Sequence, residues 1–353
     1  MIRRRWLVGA AFGIAIGLLV ATFAVYVQRG LYPADEITYI AAGERLNAGH
    51  DLYRLGPGDR YVAPKPPYWT TPLLYPPPIA VLWRPLAALP GEAGIWVWWG
   101  AMIACLVGTV AALGRRRPLL TAGALVALNV PIVYELAVGN VNAFLLLGVV
   151  GTWWLLVRGH DRSAGALVAL VTALKLSPIA LVAFLIGQRR WQALAGFVGA
   201  GLAIGLVSLA GAGLDAHLEY LGIVRATVDS GTSDLSLAGL ARAIGVPTSI
   251  ADRLPIVALV AGSALTLGLR TRPAAAYRIA TLTLVFGSPV VNINTYTLLL
   301  ALLAPAAWPM HAGARQDELP DAQTLDERSR DPVGAPRLAN GALAQASGRD
   351  PSG

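Results

Sequence analysis

Long apolar runs alternate with short polar segments over most of this sequence. Because a helix needs roughly 20 apolar residues to cross a bilayer, runs of this kind predict membrane-spanning helices. The candidate spans are Trp6–Val27, Ile95–Leu113, Leu119–Val133, Val138–Val157, Trp191–Ala212, Leu254–Leu269, Ala274–Val291 and Thr295–Pro309. The pattern therefore predicts an all-α polytopic membrane protein with about eight full spans.

Two further apolar runs do not fit a simple span. Pro76–Leu89 is short and rich in proline, and Ser163–Gly187 is interrupted in its middle by Lys175–Pro178. We expect broken or half-depth helices here, which protein or a wet cavity must surround, giving about ten or eleven helical segments in all. If both runs crossed fully instead, Arg115–Arg117 and Arg158–Arg162 would lie on the outer side.

Composition agrees with a membrane protein and excludes other classes. The chain has 353 residues, of which 56% are hydrophobic and 14% charged, whereas soluble domains carry about a quarter charged residues. The net charge is +8, but the arginines lie at the ends of apolar runs, so nucleic acid is not an expected partner. The single cysteine, Cys105, allows no intramolecular disulfide.

The arginine positions predict the orientation of the chain. Clusters next to the apolar runs mark the cytoplasmic side of the cell membrane, so both termini are expected inside. The loops 28–73 and 213–253 then face outward. The first run is too long for a signal peptide and predicts an uncleaved helix. A transmembrane domain over residues 1–311 would precede a disordered cytoplasmic tail at 312–353, which lacks aromatic residues.

The first external loop carries the leading candidate for catalysis. It opens with Asp35 and Glu36 and closes on Tyr75, which Pro76–Pro78 hold at a helix start. Apolar residues at helical spacing after Asp35 predict a short amphipathic helix in the membrane interface. Asp35 could cap that helix or act as a general base toward a hydroxyl acceptor, and the two roles are compatible.

Two charged residues inside apolar sequence need a reason for being there. Lys175 has about ten apolar residues on either side, and Glu135 lies near membrane depth. Such groups are costly in a bilayer and indicate a function by default. For Lys175, the alternatives are snorkelling toward the interface and binding of a lipid phosphate.

Two asparagine-rich turns offer further polar groups. Asn140 and Asn142 interrupt apolar sequence after Gly139, and the segment Ser288–Tyr296 carries Asn292 and Asn294. These side chains could hydrogen-bond a sugar, or they could simply form turns. The sequence has no Walker loop, zinc-spaced Cys/His set or G-x-S-x-G elbow, so no cofactor or metal is expected.

The order of these motifs resembles glycosyltransferase family 87, a group of polytopic GT-C transferases that includes polyprenyl-phosphate-mannose-dependent mannosyltransferases. The resemblance covers roughly residues 6–310. It rests on the acid after the first helix, Leu74–Pro77, Gly139–Asn142, Ala173–Pro178, Ser236–Arg242, and Ser288-Pro289 before Tyr296.

The resemblance implies a GT-C-type fold and a specific reaction. A sugar, expected to be mannose, would pass from a polyprenyl-phosphate donor to a lipid-linked or cell-envelope glycan acceptor on the outer face, with inversion. The family's catalytic carboxylate corresponds to Asp35. Lys175 and Arg242 correspond to groups that bind the donor phosphate. Candidate substrate contacts are Glu36, Tyr75, Asn140, Asn142, Asn292, Asn294 and Tyr296.

The sequence departs from the family pattern in two places. Asn294 and Thr295 stand where a histidine often precedes the last tyrosine, and Gly139-Asn140 replaces the commoner Gly-Gln. A lipid or solute carrier and a catalytically inactive scaffold are the alternative hypotheses, because transporters also use broken helices and intramembrane charges.

Overall fold

The computed structural model describes residues 2–30, 33–60, 73–229 and 235–310, and within these ranges every regular element is a helix. The predicted tail at 312–353 and part of the first external loop lie outside this set. The α-helices are α1 Ile2–Gln28, α2 Ala34–Asn47, α3 Pro77–Ala87, α4 Ala93–Arg116, α5 Pro118–Ala127, α6 Asn129–Val138, α7 Asn142–Val157, α8 Asp161–Leu174, α9 Ala180–Gly187, α10 Trp191–Asp229, α11 Leu237–Ala243, α12 Thr248–Ala251, α13 Leu254–Gly268, α14 Pro273–Phe286 and α15 Ala304–Ala307. Two 3₁₀ segments, Ser177–Ile179 and Ile293–Leu303, complete the set.

Four of the described helices are long and apolar enough to cross a membrane, or five if one bent pair forms a single span. Three of them are α1, α4 and most of α10, and each agrees with a predicted run. The fourth joins α12 to α13 and agrees with the predicted run Leu254–Leu269. The all-helical membrane class is therefore confirmed. The predicted number of about eight full spans is not confirmed.

The remaining predicted spans are bent or short. Between α5 and α6 the chain bends by 67°, so the run predicted at Leu119–Val133 is two helices that meet at Leu128. Helix α7 begins only at Asn142 and has 16 residues, and α14 has 14. The last predicted span is replaced by the 3₁₀ helix Ile293–Leu303 and α15. Hydropathy detects apolar runs but not these changes of direction.

The interruption predicted within Ser163–Gly187 is present. Helix α8 ends at Leu174, and Lys175 has extended backbone with φ −156° and ψ 134°. Pro178 lies in the following 3₁₀ turn, from which α9 continues. Pro76–Leu89 likewise forms only the 11-residue α3, with Pro77 and Pro78 in its first turn, where proline's missing amide is harmless.

Helix α2 differs from the amphipathic interfacial helix expected from the sequence. Most of it is buried, and it packs against α3. A Cβ on Gly43 would lie 2.8 Å from the Trp83 carbonyl oxygen, so the two helices approach at backbone distance. The predicted helix cap is also wrong: Pro33 occupies the N-cap position and Asp35 lies within the first turn. The Asp35 side chain is therefore directed at tertiary partners.

An aromatic cluster packs α2 and α3 against α4. Tyr39 of α2, Trp83 of α3 and Trp98 of α4 lie within 6.2 Å of one another by ring centroid, and Phe144 of α7 lies 4.6 Å from Trp98. Rings at such distances pack favourably beyond the area that they bury. The cluster therefore fixes α2 against the start of α7.

The 3₁₀ helix Ile293–Leu303 runs beside α6, α7 and α14. Just after it, the Ala306 carbonyl accepts from Arg117 Nε at 2.6 Å and the Trp308 carbonyl from Trp153 Nε1 at 2.8 Å. The segment that follows this 3₁₀ helix therefore lies beside Trp153 of α7.

Candidate active site

The centre of the site is the tight turn that joins α6 to α7. Gly139 ends α6 with φ 71°, in the left-handed region, which glycine adopts without steric cost. A Cβ at this position would lie 2.5 Å from the Cβ of Glu36. The Gly139 carbonyl accepts a hydrogen bond from Trp98 Nε1 at 2.9 Å. The turn therefore lies directly on the first residues of α2.

Asn140 connects this turn to the predicted base. Its Nδ2 donates to Asp35 Oδ2 at 2.7 Å and to the Tyr75 hydroxyl at 2.6 Å. Its Oδ1 accepts from the backbone amide of Asn142 at 3.2 Å. Because every atom of the amide has a partner, its orientation is fixed. Asp35 is 8% exposed, so its carboxyl group is held inside the protein and not in open solvent.

Tyr75 is fixed from both ends. Its carbonyl accepts from the Tyr53 hydroxyl at 2.8 Å, and its ring lies edge-on to Tyr39 with centroids 5.0 Å apart. Burial, together with the negative charge of Asp35, raises the pKa of the Tyr75 phenol well above its usual value. Tyr75 therefore remains a neutral hydrogen-bonding group beside Asp35.

Asn142 connects the same turn to the predicted phosphate-binding lysine. Its Nδ2 donates to Glu135 Oε2 at 2.9 Å, and its Oδ1 accepts from Lys175 Nζ at 3.2 Å. The other oxygen of Glu135 accepts from the Ala143 amide at 2.9 Å. Lys175 thus lies at the break in the α8–α9 run and points at the turn. A carboxylate and an ammonium group are brought into one cluster.

Glu36 is buried beside this cluster but is not hydrogen-bonded to it. It has no exposed surface, and neither carboxyl oxygen has a hydrogen-bond partner among the described residues. Burial raises the pKa of Glu36 from 4.5 to about 8. Two adjacent acids therefore have contrasting surroundings, since Asp35 is hydrogen-bonded and Glu36 lies against the apolar edge of Gly139.

The last predicted motif contributes one buried polar face. In a 3₁₀ helix, residues three apart share a face, and Asn294 and Thr297 are both buried there. Within the described structure, neither amide atom of Asn294 nor the hydroxyl of Thr297 has a hydrogen-bond partner. Asn292 is exposed. The Tyr296 hydroxyl donates to the Leu235 carbonyl at 2.8 Å and so connects this helix to the segment before α11.

Arg242 does not join the polar cluster through any contact described here. Its Nη1 lies 3.0 Å from Asp252 Oδ1, and both side chains are partly exposed. The pair connects α11 to the residue after α12. The prediction that Arg242 binds a phosphate therefore stays a prediction. No group of three metal-binding side chains occurs within the described ranges.

An apolar cavity of about 660 Å³ lies between α4, α7 and α8. Leu174 and Phe144 line it near the polar cluster, and Trp154, Leu155 and Trp308 line it toward the other end of α7. On α7, this stretch corresponds to about 16 Å at 1.5 Å per residue. The cavity therefore runs along the helix bundle from the neighbours of Asn142 and Lys175.

Comparison with known proteins identifies the family. Residues 73–322 match the glycosyltransferase family 87 model. The chain belongs to glycosyltransferase family 87. This assignment, together with the apolar helices, makes the protein a multi-pass membrane glycosyltransferase, in agreement with the resemblance seen in the sequence.

One curated relative is the polyprenol-phosphate-mannose-dependent alpha-(1-2)-phosphatidylinositol pentamannoside mannosyltransferase of Mycolicibacterium smegmatis. It is 30% identical over 181 residues, which are 48% of this chain and 41% of the relative. The match thus spans about two fifths of the relative's length. No solved structure matches the chain significantly.

The family 87 segment contains most of the cluster but not the predicted base. Asn140, Asn142 and Lys175 lie within residues 73–322, whereas Asp35 precedes them. What ties Asp35 to the family segment is its bond to Asn140. Sequence reasoning missed that bond and the part played by Glu135 in orienting Asn142. An acid four residues before a Gly-Asn-x-Asn turn was the available signal.

Proposed function

We propose that this membrane glycosyltransferase transfers mannose from a polyprenyl-phosphate donor to a lipid-linked or envelope glycan acceptor on the outer face of the membrane. The observation that carries the proposal is the hydrogen-bonded path Asp35–Asn140–Asn142–Lys175. One turn thereby holds a group that can accept a proton next to a cation that can receive a leaving phosphate. The relative that depends on polyprenol-phosphate-mannose supports this donor class.

On the acceptor side, Asp35 is the proposed general base. It takes the proton of the acceptor hydroxyl while that oxygen forms a bond to the anomeric carbon. Asn140, which also bonds to the Tyr75 hydroxyl, holds the carboxyl group in one orientation. This matters because a general base must lie within hydrogen-bond reach of its proton. The new bond forms on the face of the sugar opposite the phosphate, so the configuration inverts.

On the donor side, Lys175 is the proposed partner of the phosphate. The bond between the anomeric carbon and the phosphate oxygen breaks, and its electron pair leaves with the phosphate. An ammonium group held in a site poor in water stabilises this developing charge strongly. Arg242, which pairs with Asp252, is the second proposed partner of the phosphate.

The apolar cavity is the proposed place for the isoprenoid chain of the donor. Leu174 lines it and directly precedes Lys175. A lipid whose phosphate lies at Lys175 could thus extend along α7 without exposing its chain to water, which is favourable in proportion to the apolar area buried.

Sugar recognition is assigned to the polar groups without internal partners. Buried polar atoms normally have a hydrogen-bond partner, so the Asn294 amide and the Thr297 hydroxyl are suited to a ligand rich in hydroxyl groups. Glu36 and the exposed Asn292 are further proposed contacts, and Tyr296 is hydrogen-bonded to the Leu235 carbonyl. The orientation follows the arginine positions: both termini inside and the site outside.

The test is incubation of purified, reconstituted wild-type protein with radiolabelled polyprenyl-phosphate mannose and a phosphatidylinositol-mannoside acceptor. A new glycosidic bond, formed from this donor and not from a nucleotide-linked mannose, supports the proposal. Movement of the lipid-linked sugar across the bilayer without a new bond would favour the carrier instead. A parallel reaction with other polyprenyl-phosphate sugars determines which sugar is used.

A further inference from the structure

Glu135 is a fully buried acid to which the proposed reaction gives no chemical step. It lies on α6, one turn before Gly139. Both of its oxygens are occupied within the chain: Oε2 by the Asn142 side chain and Oε1 by the Ala143 backbone amide, each at 2.9 Å. Since each oxygen receives an N–H donor, Glu135 is directed at the protein and not at a substrate.

This arrangement determines which way the Asn142 amide faces. A carboxylate accepts hydrogen bonds and does not donate them, so the amide nitrogen must face Glu135. The amide oxygen then faces the opposite side, where it accepts from Lys175 Nζ at 3.2 Å. In the flipped orientation, the amide oxygen would face a carboxylate and the amide hydrogens an ammonium group, which is unfavourable at both ends.

We propose that Glu135 is a positioning residue that holds the Lys175 ammonium group at the donor phosphate through the side chain of Asn142. The inference rests on the proposed function, because the phosphate is the ligand that Lys175 would meet. It adds a separate claim: Glu135 allows the Asn142 amide only one orientation, and that orientation directs the amide oxygen at Lys175. We call the arrangement of Glu135, Asn142 and Lys175 the relay.

The relay can be broken and rebuilt with side chains of nearly the same shape. In Glu135→Gln, the new amide keeps its oxygen on the Ala143 N–H and turns its nitrogen toward the nitrogen of Asn142. If the Asn142 amide flipped to avoid this contact, its N–H groups would face the Lys175 ammonium group, which is also a donor. We expect the KM for the polyprenyl-phosphate sugar to rise about tenfold or more, as for loss of a charged hydrogen bond, with the acceptor KM changed less than about twofold.

Asn142→Asp alone should be impaired in the same way, because two carboxylates then face each other. The double variant Glu135→Gln with Asn142→Asp restores the pattern. The new amide nitrogen at position 135 donates to the new carboxylate at position 142, which faces Lys175. The number of charges and hydrogen bonds matches the wild type. The donor KM should therefore return to within about threefold of the wild-type value, although both single changes raise it by about tenfold.

Several results would overturn the inference. An unchanged donor KM in Glu135→Gln would contradict the relay, and so would an equal rise in the donor KM and the acceptor KM. A double variant no better than the worse single variant would do the same, and would favour Glu135 as a proton acceptor in its own right. Thr152→Val is the matched control. Thr152 is buried on α7, and among the described residues its hydroxyl bonds only to the Gly148 carbonyl of its own helix; its donor KM should not change.

A binding measurement separates this inference from the proposed function. Thermal stabilisation of the purified protein by a sugar-free polyprenyl phosphate needs no transfer. Wild-type and double-variant proteins should be stabilised, and both single variants should need about tenfold more lipid. If the wild type binds the lipid but makes no product, the transfer proposal fails while the relay stands. If the wild type is not stabilised at all, the phosphate role of Lys175 and the relay both fail.

Discussion

Two buried polar regions of the protein differ completely in their side-chain hydrogen bonding. In the turn Gly139–Asn142, each asparagine amide has partners on both its nitrogen and its oxygen. On the 3₁₀ helix Ile293–Leu303, Asn294 and Thr297 have no partner among the described residues. Burial without a partner costs roughly 1–3 kcal/mol per group.

The difference indicates different roles for the two regions. Groups that already have all their partners cannot reorganise cheaply, so they suit a step whose geometry must be set before the substrate arrives. Groups that lack partners gain most from a ligand that supplies them. We therefore assign the turn to chemistry and the 3₁₀ helix to recognition. Changes in the turn should lower turnover or donor use, and changes on the 3₁₀ helix should affect sugar recognition with little loss of stability.

The largest effect in this set is expected at Asn140. Asn140→Leu removes the amide that bonds both Asp35 and Tyr75, so the carboxyl group loses its fixed orientation. Misplacement of a reacting group by about 1 Å can cost roughly 100-fold, and we expect a loss of that order in kcat. Asn140→Gln keeps an amide and should retain part of the activity. Equal rates for Leu and wild type would show that Asp35 needs no orientation.

A somewhat smaller effect is expected at Lys175. Lys175→Met keeps the length of the side chain and removes its charge, so binding of the donor phosphate should weaken roughly 10- to 100-fold, as for loss of a charged hydrogen bond. Lys175→Arg restores the charge and should recover part of this loss. The readout is the KM for the lipid-linked sugar. If acceptor KM rises instead, the ammonium group serves the other substrate.

On the recognition side, Asn294→Ala should weaken use of the sugar or acceptor by roughly 3- to 10-fold, the value of one neutral hydrogen bond. The melting temperature should not fall, because no internal hydrogen bond is lost. Tyr296→Phe is the control: it removes the 2.8 Å bond to the Leu235 carbonyl and should lower stability instead. If Asn294→Ala lowered the melting temperature and left the kinetics normal, Asn294 would have a structural role and not a role in recognition.

The smallest effect concerns stability at Glu36. Burial raises its pKa from 4.5 to about 8, so the folded state retains a proton that the unfolded chain releases. Stability should therefore fall as pH rises from about 4.5 to 8. Glu36→Gln should remove part of this slope and stabilise the protein by at least ~1 kcal/mol at pH 8, with little effect near pH 4. A matching slope in both proteins would show that Glu36 is not the titrating group.

Much of the architecture followed from the sequence because hydrophobicity alone carries that information. Apolar length predicted α1, α4 and α10, and the Lys175–Pro178 interruption predicted the broken helix that the structure contains. The 67° bend at Leu128 and the 3₁₀ conformation of residues 293–303 did not follow. Neither feature changes the apolar composition of its run, so hydropathy does not reveal it.

The candidate site divides in the same way. Asn140, Asn142 and Lys175 stood out because polar groups are costly in apolar sequence, and Asp35 stood out as the acid that opens the first external loop. Their mutual contacts could not be predicted, since Asp35 and Asn140 are 105 positions apart. The position of Asp35 inside α2, and not at its cap, depends on Pro33. Arg242 matched a motif, yet its described partner is the acid at position 252.

The most direct test of the account is Asp35→Asn, with transfer and donor binding measured on the same reconstituted preparation. The carboxamide keeps the size of the side chain but cannot take the acceptor proton. We expect kcat to fall by roughly 100- to 10,000-fold, the usual contribution of a general base, while polyprenyl phosphate still stabilises the protein as in the wild type. Transfer at a near-normal rate by this variant would contradict the assignment of Asp35 as the base.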